Sequence, residues 1–205
     1  MSGFQQGLFL YIIIILSAII HEYAHGWMAY REGDPTAKYA GRLTLNPIVH
    51  MELFGTVLLP LALLLTTNMF FGYAKPVPIN PNNFKDQRRG LILTSAAGPL
   101  SNLLIAVILG MVIRFFPGLT ISPLIAYIVF INIWLALFNL LPVPPLDGSK
   151  LLFGLASGRA GRAVDFLQGT GSWLGIVVAL LLAFTFLPAL SNIIFKLIIG
   201  SGFSF

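Results

Sequence analysis

The sequence predicts an all-α polytopic membrane protein, with about five transmembrane or re-entrant helices and a short membrane-associated β-hairpin or strand region. Three observations carry this. Hydrophobic residues make up 57% of the 205 and charged residues 9%, against roughly a quarter charged in soluble domains. The apolar residues gather into runs near 7–31, 53–71, 91–116, 122–141 and 172–199, each close to the roughly 20 residues that cross a bilayer. The 12 Lys and Arg outnumber the 7 Asp and Glu, for a net charge of +5, and they lie in the loops between the runs. That pattern reads as membrane orientation and not as a nucleic-acid surface.

Residues 7–31 predict one helix that ends at Gly33, a good C-terminal cap. The run lacks a basic start and carries His21, Glu22 and His25 at its far end, so it is expected to be a working helix and not a cleaved signal. Residues 32–52 are turn-rich, with a short hairpin expected over Lys38–Leu45. The run 53–71 is interrupted by Pro60 and leads into Gly72-Tyr73-Ala74-Lys75-Pro76-Val77-Pro78-Ile79-Asn80-Pro81. In an extended strand Pro76 and Pro78 remove donors from one edge, leaving the N–H groups of Val77 and Ile79 on the other, where a guest peptide could pair.

Lys85, Arg88 and Arg89 mark a cytoplasmic boundary before the helix 91–116, whose Ser95-Ala96-Ala97-Gly98 stretch allows a neighbouring helix to approach closely. A turn at Pro117-Gly118 leads into 122–141, which breaks at Asn139-Leu140-Leu141-Pro142-Val143-Pro144-Pro145-Leu146-Asp147-Gly148. Lys150, Arg159 and Arg162 place the next loop in the cytoplasm. The last span, 172–199, carries Pro188 as a candidate break. Phe70, Phe71, Tyr73, Phe115 and Phe116 read as interface anchors. No repeat, low-complexity tract or appended soluble domain is evident, so one domain over 1–205 is expected, with a core over about 7–155 and a C-terminal span over about 172–199.

The chemistry begins with His21-Glu22-Tyr23-Ala24-His25. Residues four apart on a helix lie one above the other, so two imidazoles can grip one metal ion with Glu22 beside them. Only 3 His occur in the chain, and ionisable residues inside a membrane are costly and usually functional; the bland alternative is a polar cluster that merely ties helices together. With no cysteine, a metal must sit on His, Asp or Glu. A catalytic zinc takes three protein ligands, and the candidates for the third are Asp147, His50, Glu52, Asp34 and Asp165. Asp147 is the best placed, after a helix end stopped by Pro142, Pro144 and Pro145, with Gly148 permitting a sharp turn.

These motifs resemble the site-2 protease family of intramembrane zinc metalloproteases: H-E-x-x-H at 21–25, the Gly98-Pro99 and Asn102 segment, and Asn139-x-x-Pro142-x-Pro144-x-x-Asp147-Gly148. The resemblance covers about residues 10–155, in a short form without a PDZ or CBS domain. It implies that His21, His25 and Asp147 bind one Zn2+, that Glu22 is the general base and acid, and that Asn139 helps hold substrate. Val77 and Ile79 are the expected substrate edge, and His50 and Asn102 are expected to support the ligands, with interfacial packing as the plainer reading of His50. The expected activity is endoproteolysis in or near transmembrane segments of membrane proteins; the rival classes are an inactive membrane scaffold and a transporter or channel.

Topology adds a constraint. His21 and Asp147 must share one depth, so helices 7–31 and 122–141 run in the same direction and 91–116 runs opposite. Residues 53–90 must then return to their starting side, either by re-entry bent at Pro60 or by a crossing followed by a buried strand. The basic loops put the site toward the cytoplasm, in the plasma membrane of a prokaryote. The partners expected are a membrane-protein substrate and the lipid bilayer, without nucleic acid; the sequence defines no oligomeric state.

Overall fold

The computed structural model describes residues 3–62, 75–155 and 172–200. The described helices are α1 (Gly3–Glu32), α2 (Thr36–Tyr39), α3 (Pro47–His50), α4 (Gln87–Phe115), α5 (Ser122–Asn139), α6 (Asp147–Leu155) and α7 (Ser172–Ile199). A π-helical stretch, Leu53–Leu58, and a 3-10 turn, Pro81–Asn83, complete them. Among the described residues, four helical segments are long and apolar enough to cross a membrane: Gln5–Glu32, Gln87–Phe115, Ser122–Asn139 and Ala179–Ile199.

α1 stops where Gly33 takes φ +114. The Asp34 N–H donates to Ala29 O at 2.9 Å and the Gly33 N–H to Tyr30 O at 3.2 Å, the paired bonds of a Schellman cap. α4 begins earlier than expected, at Gln87, because the Asp86 carboxylate accepts the Arg89 N–H at 2.9 Å and caps it. Arg88, read as loop, belongs to the helix and donates from Nε to Gly154 O at 2.7 Å, tying α6 to α4. Pro188 does not break α7, which runs through it.

α4 is the central element. His25 lies against Thr94 and His21 against Asn102, so residue numbers rise along α4 as they fall along α1, and the two run antiparallel. α5 reaches α1 through Asn132 Nδ2, which donates to Ser17 Oγ at 3.0 Å. α7 ends where α4 ends, with Arg114 Nη1 donating to Leu197 O at 3.0 Å. Ala106, Ile113, Ala126, Val129, Ile133, Phe195 and Ile199 form the core between them. Gly110 brings α7 close, since a Cβ there would lie 2.3 Å from Ile198 Cγ2; close backbone approach of this kind drives association where lipid removes the hydrophobic difference. Leu104 and Phe184, at 60% and 71% exposure, face outward.

Two expectations are corrected. The β-hairpin over Lys38–Leu45 is absent: Asp34 accepts the Thr36 N–H at 3.1 Å and starts α2, Ala37 is buried, and the chain turns at Gly41 with φ +67. Residues 75–80 are extended but pair in no ladder, and no strand occurs among the described residues. Of the five expected spans, the run 53–71 is described only to Ala62, and Phe70, Phe71 and Tyr73 lie outside the described residues. The π-helical winding falls just before Pro60, whose missing donor cannot continue a regular ladder. The excursion nevertheless begins and ends at one point, because the Lys75 N–H donates to His50 O at 2.9 Å.

Candidate active site

α1 places His21 and His25 one turn apart, and both are buried. α6 starts at Asp147, directly after the proline-rich turn that follows α5. His21 Nε2, His25 Nε2 and Asp147 Oδ2 lie 3.0–3.1 Å from one another. Gly148 matters here through space and not through a left-handed turn: a Cβ would lie 2.2 Å from Leu140 O, so only glycine lets the start of α6 seat against the end of α5.

The far side of each imidazole fixes its proton. His25 Nδ1–H donates to the Thr94 carbonyl at 2.6 Å and His21 Nδ1–H to Asn102 Oδ1 at 3.1 Å. Both Nε2 atoms therefore present lone pairs to the Asp147 carboxylate. Three lone-pair donors facing one another call for a cation, and backing of each ligating imidazole by an acceptor is the usual arrangement at zinc. Their spacing is close to the about 3.3 Å that donors take around a tetrahedral ion at roughly 2.0–2.1 Å. Gly98 leaves the room, since a Cβ would stand 2.4 Å from His25 Nε2 and 2.6 Å from His21 Nε2. The residues thus fit a single ion with an open fourth position.

Glu22 is half-buried beside the cluster, and its Oε2 accepts the Val77 N–H at 2.8 Å. Val77 itself is buried, resting where Gly26 carries no side chain; a Cβ there would meet Val77 Cγ1 at 3.0 Å. Glu22, His25, Val77, Ile79, Asp147 and Lys150 line one cavity of about 270 Å³. The donor edge of the 75–80 segment, expected to be free for a guest, thus turns toward the base.

Other candidates fall elsewhere. Glu52 caps the stretch after it, accepting the Gly55 N–H at 3.1 Å. His50 Nε2 donates to Thr44 O at 2.7 Å, and its contribution near the site is the backbone carbonyl that takes Lys75. Asp34 binds Thr36, Asn80 and Asn83, away from the imidazoles. Asn139 Nδ2 donates to Leu135 O within its own helix at 2.9 Å. Asp165 lies outside the described residues.

Two participants were not foreseen. Lys150, one turn after Asp147, brings Nζ to 3.4 Å from Asp147 Oδ1; its i, i+3 spacing was the available signal. The Thr94 carbonyl has no side-chain signature at all.

Comparison with known proteins gives a consistent assignment. The family model for peptidase family M50 matches residues 9–122 and 118–184. The chain is 42% identical over 154 residues to YwhC of Bacillus subtilis, covering 70% of this chain and 67% of that one. It is 29% identical over 197 residues to Rip2 of Mycolicibacterium smegmatis, covering 94% and 73%. Against MJ0392 of Methanocaldococcus jannaschii the identity is 24% over 174 residues, covering 83% and 42%. All three carry zinc-metalloprotease names. No solved structure gives a significant match.

Proposed function

The chain belongs to peptidase family M50, the site-2 protease family, and on that footing we propose how its residues carry out zinc-dependent proteolysis in the membrane. His21, His25 and Asp147 hold the zinc, and Glu22 is the general base and acid. The observation that carries this is the convergence of three lone-pair donors at 3.0–3.1 Å with a carboxylate alongside. Zinc, when bound, supplies Lewis-acid chemistry, making water acidic enough to lose a proton near neutral pH and polarising a peptide carbonyl.

Glu22 takes the proton of the attacking water on a carboxylate oxygen and delivers it to the leaving amine, so one group serves both halves of the reaction. Asn102 and the Thr94 carbonyl fix the imidazole tautomers. Lys150 balances Asp147 from its second oxygen. Burial of both imidazoles, Asn102 and Asp147 strengthens the interactions among them.

The substrate is a protein, and we assign it to membrane-embedded or membrane-adjacent segments. A helical segment hides its peptide bonds and must be drawn out, and the extended 75–80 segment beside Glu22 is where it would lie, with Val77 and Ile79 as the pairing edge. Arg31, Lys85, Arg88, Arg89 and Lys150 stand at the end of α1, at the start of α4 and in α6, the site end of the bundle, which supports a cytoplasmic orientation; the membrane we assign is the plasma membrane of a prokaryote. A single catalytic unit over about 7–155, with the last span packed against α4, is consistent with this. Reconstitution in lipid vesicles with a substrate bearing one transmembrane segment tests the reading: cleavage should disappear on chelation and return on zinc addition, and cleavage indifferent to chelation would refute it.

A further inference from the structure

Asp34 is fully buried yet pairs with no cation among the described residues. A buried carboxylate is tolerated only when its oxygens are satisfied, and this one is held entirely by uncharged donors from two parts of the chain. Oδ1 accepts the Thr36 N–H at 3.1 Å, the Thr36 hydroxyl, and Asn83 Nδ2 at 2.8 Å; Oδ2 accepts the Asn80 N–H at 2.7 Å. Two of the four contacts come from the stretch that leads away from the site, so the carboxylate is a clasp between the end of α1 and residues 80–83.

We propose that Asp34 is a positioning residue for the peptidase site: it pins the downstream end of the extended 75–80 segment so that Val77 falls on Glu22. The upstream end is pinned by Lys75 on His50 O. Between the two anchors the Val77 N–H reaches Glu22, which stands on the same helix that Gly33 and Asp34 terminate. One helix therefore carries both the base and the means of holding the segment opposite it. Gly33 belongs to the same arrangement, since a Cβ there would lie 3.0 Å from Asn83 O, and Glu32 O accepts the Lys85 N–H at 2.9 Å. Asparagine at position 34 would turn an amide donor toward a donor and open the clasp without changing size.

The proposal rests on the peptidase reading for its consequence but not for its first test. The chain has no cysteine, so Val77→Cys is a clean reporter of whether the segment is seated. With Asp34 intact, alkylation of this buried thiol by a maleimide in detergent should be slow. Adding Asp34→Asn should accelerate it about tenfold or more, the signature of local opening, with zinc content unchanged; Asn83→Ala, which removes a single donor, should fall between. With Val77 intact, Asp34→Asn should raise KM severalfold and leave kcat within about twofold. An unchanged labelling rate, or faster labelling accompanied by loss of zinc, overturns the proposal. Where Asp34→Asn does not fold, Asn83→Ala decides by the same criterion. Faster labelling on Asp34→Asn, in a protein whose zinc-loaded wild type cleaves no membrane-protein substrate, would uphold the clasp and refute the peptidase reading.

Discussion

The Val77 N–H donates to Glu22 Oε2 at 2.8 Å, so the proposed base and the proposed substrate edge are joined directly. A backbone donor on a carboxylate fixes the direction in which it points. When an extended substrate enters, its backbone must share or take over this donor.

Val77→Pro removes that donor and no ligand. One charge-assisted hydrogen bond is worth about 1.5–3 kcal/mol, so kcat/KM should fall roughly tenfold or more while zinc stoichiometry stays at wild-type level. Metal analysis beside a cleavage assay checks both halves.

Gly98→Ala places a Cβ against His25 Nε2 and His21 Nε2. The imidazoles lie on a packed helix and cannot both retreat, so overpacking of about 1–3 kcal/mol is expected, together with loss of bound zinc. Dialysis against a competing chelator measures it.

Asn102→Leu removes the acceptor for His21 Nδ1–H and frees that ring to change tautomer. Loss of such a backing group costs about 10–100-fold in metal affinity. The protein should remain folded and regain zinc at higher concentration.

Asp34 yields a pH dependence. Burial pushes its carboxyl up, but the hydrogen bonds from Thr36, Asn83 and Asn80 outweigh burial and hold it below the ordinary carboxylate range. A group with a lowered folded-state pKa gives stability that is present above its unfolded value, about 3.9, and lost as pH falls through the folded value. The thermal midpoint in detergent should therefore drop on acidification below about pH 4, and Asp34→Asn should show a lower midpoint at pH 7 with a shallower acid limb.

Much of the candidate site is legible in the sequence because its signal is local. His21, Glu22 and His25 are set by helical spacing alone, and Asp147 follows from a helix that prolines must end. The direction of α1 against α4 followed from requiring one depth for His21 and Asp147. What was not legible depends on partners distant in sequence. Pro76 and Pro78 reveal that one edge lacks donors, but not that the other edge faces Glu22. Asp34 reads as one more candidate metal ligand until Asn80 and Asn83 are folded back upon it. The turn-rich sequence around Gly41-Arg42 suggests a hairpin over Lys38–Leu45, but the turn that Asp34 nucleates at Thr36 leads into a helix instead. The charge of Arg88 suggests a boundary, whereas Asp86 caps a helix that includes it.

The most direct test of the account is zinc content and cleavage measured on the same purified preparations of wild type and Glu22→Gln. One zinc per chain in both, with cleavage in the variant reduced by about 10²–10⁴-fold as for loss of a general base, is the result predicted. Cleavage retained by Glu22→Gln with zinc bound would contradict it.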